Sequence, residues 1–163
     1  EIDIGIVEGP VGNKNLVSKV CWDDELVIVT PPGHPLTENP ISGVDALLEY
    51  PFISREEGSG TRNVIVDYLQ SAGRDISDLN LTMEFGSPES IKSAVVAGLG
   101  ISILSIATLN KELELGMLSK LSLDPPLTRP FSIVYQRQKF RLRAMDEFLE
   151  FTEAHCGEKQ VAK

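Results

Sequence analysis

Apolar residues in this chain fall into two kinds of pattern, and the two kinds take turns. Short runs rich in aliphatic and β-branched residues occur at Ile2–Val7, Leu16–Trp22, Glu25–Thr30, Phe52–Ser54, Leu79–Phe85, Ile101–Leu104, Met117–Leu123 and Phe131–Gln136. Each predicts a strand. Between Thr61 and Ala72 the apolar residues Val64, Ile65, Tyr68, Leu69 and Ala72 recur at helical spacing, and Gly73 supplies a stop. Ser87-Pro88-Glu89 opens a second helix, to about Ala97, with a capping hydroxyl, a proline in the first turn and an acid beside it. Ser42, followed three residues later by Asp45, has the form of a capping box and predicts a short helix to Glu49. Further helices are predicted over Ser105–Leu115 and Leu142–His155, the latter with Leu142, Met145, Phe148 and Leu149 on one face.

Strands alternating with helices predict an α/β fold with a parallel or mixed sheet wrapped by helices. Proline-rich breaks flank two of the strands: Pro31-Pro32 follows Glu25–Thr30, and Asp124-Pro125-Pro126 and Pro130 precede Phe131–Gln136. Residues 31–130 between them hold enough elements for a lobe of their own. Residues 1–30 and 131–156 then belong together, and 157–163 reads as a disordered tail. Two lobes joined by two crossover strands predict a hinge with a ligand cleft between them.

The sharpest local feature is Arg55-Glu56-Glu57-Gly58-Ser59-Gly60-Thr61-Arg62, a polar glycine turn between a strand and a helix. The first amides of a helix have no intrahelical acceptor, and the helix dipole adds positive potential there, so the point suits a small anion. Ser59 and Thr61 add hydroxyls, and Gly60 lets a ligand approach the backbone. Two readings stand: an anion site built from Ser59, Gly60 and Thr61, or a serine N-cap and nothing more. Arg55 and Arg62 either assist the anion or are solvated surface residues.

The net charge of the 163 residues is −9, which argues against a nucleic-acid grip in this segment, since phosphate neutralisation needs clustered Lys and Arg. The densest basic stretch, Arg137, Lys139, Arg141 and Arg143, is explained as well by a solvated helix face. No apolar run is long enough to span a bilayer and no leader peptide begins the chain, so no membrane partner is expected. Cys21 and Cys156 have no metal-ligand spacing; two thiols in a reducing compartment favour a cytoplasmic location, with a disulfide as the alternative. No metal or cofactor is expected. A hydrolase lacks its parts: His34 lies in a Gly-His-Pro turn, His155 is near the end, and there is no Gly-x-Ser-x-Gly elbow. A phosphate loop would need Gly-Lys-Ser/Thr where Gly60-Thr61-Arg62 stands. The expectation is a binding protein and not an enzyme.

Six pieces in order carry a family resemblance. They are Asp3-Ile4-Gly5-Ile6-Val7-Glu8-Gly9; Asp24-Glu25-Leu26-Val27-Ile28-Val29; Gly33-His34-Pro35-Leu36; Pro51-Phe52-Ile53 with Gly58-Ser59-Gly60-Thr61-Arg62; Glu89-Ser90-Ile91-Lys92; and Ala97-Gly98-Leu99-Gly100-Ile101-Ser102. Together, over roughly residues 1 to 151, they resemble the effector-binding domain of LysR-type transcriptional regulators. The resemblance implies a two-lobed fold like type 2 periplasmic binding proteins, with the second lobe complete and the first partial. It implies a small-molecule effector, an anion here, held by Ser59, Gly60 and Thr61, with Glu8, Gly9 and Ser87 at the same opening. Glu8 would bind a ligand amine or hydroxyl, or cap its loop. A winged helix-turn-helix, a linker helix and the opening segment of the first lobe, which supplies the opposite wall of the pocket, would precede this stretch. DNA is then contacted only by that other domain, in a homodimer or homotetramer. Since such domains pair through the helix at Thr61–Ala72 and the edge strand after it, Ile65, Tyr68 and Leu69 are expected to leave part of their apolar surface exposed or covered by a non-physiological contact. The rival reading is a transporter's solute-binding protein with the same fold.

Overall fold

The computed structural model describes residues 3–8, 11–38, 43–137 and 143–156. In chain order the elements are β1 (Ile4–Glu8), β2 (Leu16–Thr30), α1 (Pro35–Glu38), α2 (Asp45–Leu48), β3 (Pro51–Arg55), α3 (Gly60–Ser71), β4 (Asn80–Phe85), α4 (Pro88–Val96), β5 (Ser102–Ser105), α5 (Asn110–Glu114), β6 (Ser119–Gln136) and α6 (Arg143–Cys156). Short 3-10 turns lie at Ile76–Asp78 and Ile106–Thr108. The chain divides into two compact units, one made of residues up to 24 and from 129 onward, the other of residues 25–128.

The second unit shows why period-two sequences make sheets with two buried faces. Leu26, Ile28, Phe52 and Ile103 point into one apolar cluster, completed by Ile65, Tyr68 and Leu69 of α3. Their strand neighbours Val27, Val29, Ile53 and Leu104 point into another, completed by Ile91 and Val95 of α4. β5 runs antiparallel to β2, with Leu26 opposite Ser105, while β3 and β4 are parallel, with Arg55 beside Phe85. β5 reaches β3 through two 2.8 Å bonds, from the Ile53 amide to the Ile101 carbonyl and from the Ile101 amide to the Pro51 carbonyl. That approach depends on Gly100, where a Cβ would stand 2.5 Å from the Pro51 oxygen.

The first unit is smaller. β1 lies antiparallel to the end of β6, from Ile4 opposite Tyr135 to Glu8 opposite Phe131. Leu149 of α6 packs there on Ile133 and Tyr135.

Several expectations need correction. Leu16–Trp22 and Glu25–Thr30 are a single fifteen-residue strand, and Ser119–Gln136 is a single strand of eighteen. Pro125 and Pro126 are exposed and lie within β6 without ending it, outside the stretch Phe131–Tyr135 that β1 flanks. The Asp124–Pro125 bond is cis. Ser105–Leu115 is not one helix but a 3-10 turn and then α5. Val44, not Ser42, precedes α2, and it makes no side-chain cap; Ser42, Leu142 and the tail 157–163 lie outside the described residues. Phe148 is 47% exposed while Leu149 is buried, because only one stripe of α6 faces the sheet. The largest miss concerns α3. Ile65, Tyr68 and Leu69 are at most 8% exposed, since their i, i+3, i+4 spacing is the inward stripe itself. Uncovered apolar side chains occur instead on β4, at Leu81 and Met83.

Candidate functional site

The parallel pairing of β3 and β4 brings their C-terminal ends to one edge of the sheet, where the Glu56 amide donates to the Phe85 carbonyl at 3.2 Å. Three residues past Glu56 stands Ser59, ahead of α3; two past Phe85 stands Ser87, ahead of α4. Helix N-termini following parallel strands converge their dipoles on this edge, where open α/β folds collect ligands. Gly58 makes the turn possible, with φ of +88°.

At the head of α3 the Ser59 carbonyl accepts the first helical bond from the Asn63 amide, at 3.0 Å. The Ser59 side chain makes no capping bond, although the residue is only 7% exposed. Thr61 is equally buried. The head of this helix therefore lacks the device that its sequence spells.

The arginines beside the turn are engaged with carboxylates. Arg55 clamps Glu56 with two bonds of 2.8 and 2.9 Å and holds that carboxyl below its usual pKa. Arg62 pairs with Glu84 and donates to the Arg55 carbonyl at 2.9 Å, which ties α3 to β3 and β4. With both guanidiniums held by carboxylates, the remaining positive potential at this turn is that of the helix backbone.

Ser87 behaves differently from Ser59. Its hydroxyl accepts from the Ser90 amide at 3.2 Å and caps α4. Glu89 pairs with Lys92 at 3.0 Å, and the same ammonium reaches Glu112 at 3.0 Å and donates to the Thr108 carbonyl. Burial pushes the Lys92 pKa down, but its bonds to Glu89 and Glu112 outweigh this and leave it raised.

Glu8 belongs to the other unit. It pairs with Arg129, which also donates from Nε to the buried Asp24 at 2.9 Å. The guanidinium lies 5.3 Å from the centre of the Phe131 ring, which stacks on Trp22. Glu8 thus carries an ion pair to Arg129. Gly9 lies outside the described residues.

Ser105 is a residue that the sequence did not single out. It ends β5, is 8% exposed and heads the turn Ile106–Thr108 without a side-chain cap. A serine directly after an apolar strand was the available signal; placing it inside a helix hid it. Among the described residues no group of three metal-ligating side chains comes together, and no helix is long and apolar enough to cross a membrane.

The model for the LysR substrate binding domain matches residues 1–157. The chain belongs to that family. It is 38% identical over 151 residues to the HTH-type transcriptional regulator YeiE of Escherichia coli (strain K12), covering 92% of this chain and 50% of that protein. It is 37% identical over 151 residues to the RuBisCO operon transcriptional regulator of Acidithiobacillus ferrooxidans, covering 90% and 48%. The LysR-family chain thus spans about half the length of these relatives. The structure of the CcmR regulatory domain from Synechocystis PCC6803 in complex with 2-PG superposes with a TM-score of 0.83 at 32% identity, covering 94% of this chain and 73% of that one.

Proposed function

We infer that this domain senses a small anionic metabolite for a LysR-type transcriptional regulator. The head of α3 binds the anion through the first amides of the helix, with Ser59, Gly60 and Thr61 in contact. Ser87 and Ser105 border the same sheet edge. The domain is not an enzyme: it acts by holding one arrangement of a homo-oligomer whose DNA contacts lie in a winged helix-turn-helix elsewhere in the protein. Its place is the cytoplasm. The relatives' names support a regulator over a transport protein of the same fold.

One observation carries the assignment to α3: a nearly buried serine sits at the cap position and does not cap. A hydroxyl withdrawn from the helix is available to a ligand, and the amides it leaves uncapped suit the same guest. The test is a thermal-shift screen of the full-length protein against phosphorylated, sulfated and carboxylated metabolites. A true effector at a hundred times its dissociation constant stabilises the fold by about 2.7 kcal/mol, and Thr61→Ala removes most of that shift. No shift with any anion, or equal shifts in the variant, overturns the site.

A further inference from the structure

At the opposite end of α3 lies a cavity of about 470 Å³, formed wholly within residues 25–128. Its volume falls in the range of small-molecule sites. Nothing in the effector reading uses it. Its wall includes Tyr68, Ser71 and Arg74 from the end of α3, Asp45 at the start of α2, and Asp124 with Pro125 on β6.

The Tyr68 side chain is buried, yet among the described residues its hydroxyl reaches only the Asp124 and Pro125 carbonyls, at 3.4 Å each. A good O–H···O bond is about 2.7–2.8 Å, so this phenol is poorly satisfied where it meets the cavity. The charges of the wall do not balance either. Asp45 is taken by Arg74 at 2.7 Å, whereas the Asp124 carboxylate has no ion pair among the described residues. Burial chiefly, and then the Asp124 charge, raise the pKa of Tyr68, which places that carboxylate within electrical reach of the phenol. The carbonyl end of a helix adds negative potential in the same place.

We propose that this cavity is a second ligand site, selective for a small alkylammonium group. The ammonium sits against the Asp124 carboxylate and donates to the Tyr68 phenol oxygen, while the alkyl part lies over Val44 and Ala72. The head of α3 attracts negative charge and its tail positive charge, so one helix carries two sites of opposite preference.

Amide NMR titration of the isotope-labelled chain tests this, with n-butylamine and 1,4-diaminobutane as probes and n-butanol as the uncharged match. Saturable shifts at Gly73 and Arg74 are expected with the amines alone, and Asp124→Asn weakens them at least tenfold. Shifts that do not saturate, that butanol reproduces, or that survive Asp124→Asn unchanged overturn the proposal. The amine–alcohol comparison uses the unaltered chain, so it decides the matter even if the variant fails to fold.

Discussion

Two serines head two helices on the same sheet edge, and they are used in opposite ways. Ser87 caps α4 through the Ser90 amide, and a proline and an acid in the first turn reinforce the start. Ser59 occupies the corresponding position before α3, with extended backbone angles of −68° and 132°, and leaves its helix uncapped. The difference lies in what surrounds each one. α4 has no glycine in its opening turn, while α3 starts at Gly60 after a left-handed Gly58. A capped helix start has spent its best donors. An uncapped one that is still folded retains them, and on the proposed function this is what separates a structural serine from a binding one.

The strongest way to break the comparison is to fill the guest's place. Ser59→Asp puts a fixed carboxylate at the head of α3, and two like charges 4 Å apart repel by about 4 kcal/mol at an effective dielectric of 20. Anion affinity should fall about a hundredfold or more by calorimetry, while the fold is kept or strengthened by the new cap. Retained affinity would place the anion elsewhere. A smaller effect separates the two serines directly. Ser87→Ala should cost about 1 kcal/mol and lower Tm by about 2–4 °C, whereas Ser59→Ala in the ligand-free protein should stay within about 0.5 kcal/mol. Equal losses in thermal melts would erase the distinction.

The smallest effect is electrostatic and concerns how α4 is braced. The Lys92 ammonium holds the Glu112 carboxyl below its ordinary 4.5, against the opposing effect of burial. A depressed carboxyl stabilises the fold above its unfolded pKa and loses that contribution as pH falls through the folded value. Denaturation midpoints measured at pH 6 and pH 3.5 should therefore drop further in the natural chain than in Glu112→Gln. An identical drop would mean that the pair adds nothing under acid conditions.

Much of this molecule could be read from residue patterns. The strand–turn–helix at Pro51–Ala72 and the start at Ser87 were legible because the signals are local: period-two apolar residues, glycines and a Ser-Pro pair. The long strands were not: β2 runs on through Asp23-Asp24 and β6 through Pro125-Pro126, and the strands they pair with are far away in sequence. The same holds for the ion pairs of Lys92 with Glu112 and of Arg129 with Asp24, whose partners are distant along the chain. For α3 the face was identified and its destination was wrong: a stripe expected to stay uncovered turned out to be the core. The candidate site was legible as a place but not as a state. Sequence spells Ser59 and Ser87 alike, and only coordinates separate the serine that caps from the one that does not.

β2 and β6 have one more consequence. They are hydrogen-bonded neighbours, and residues 25–128 depart along the first and come back along the second. The whole second unit is therefore a cassette whose two splice points lie side by side, at Asp24 and Arg129, which are clasped to each other. Such an insertion can be exchanged by two cuts without rethreading the host, as circular permutants and domain insertions exploit wherever chain ends meet.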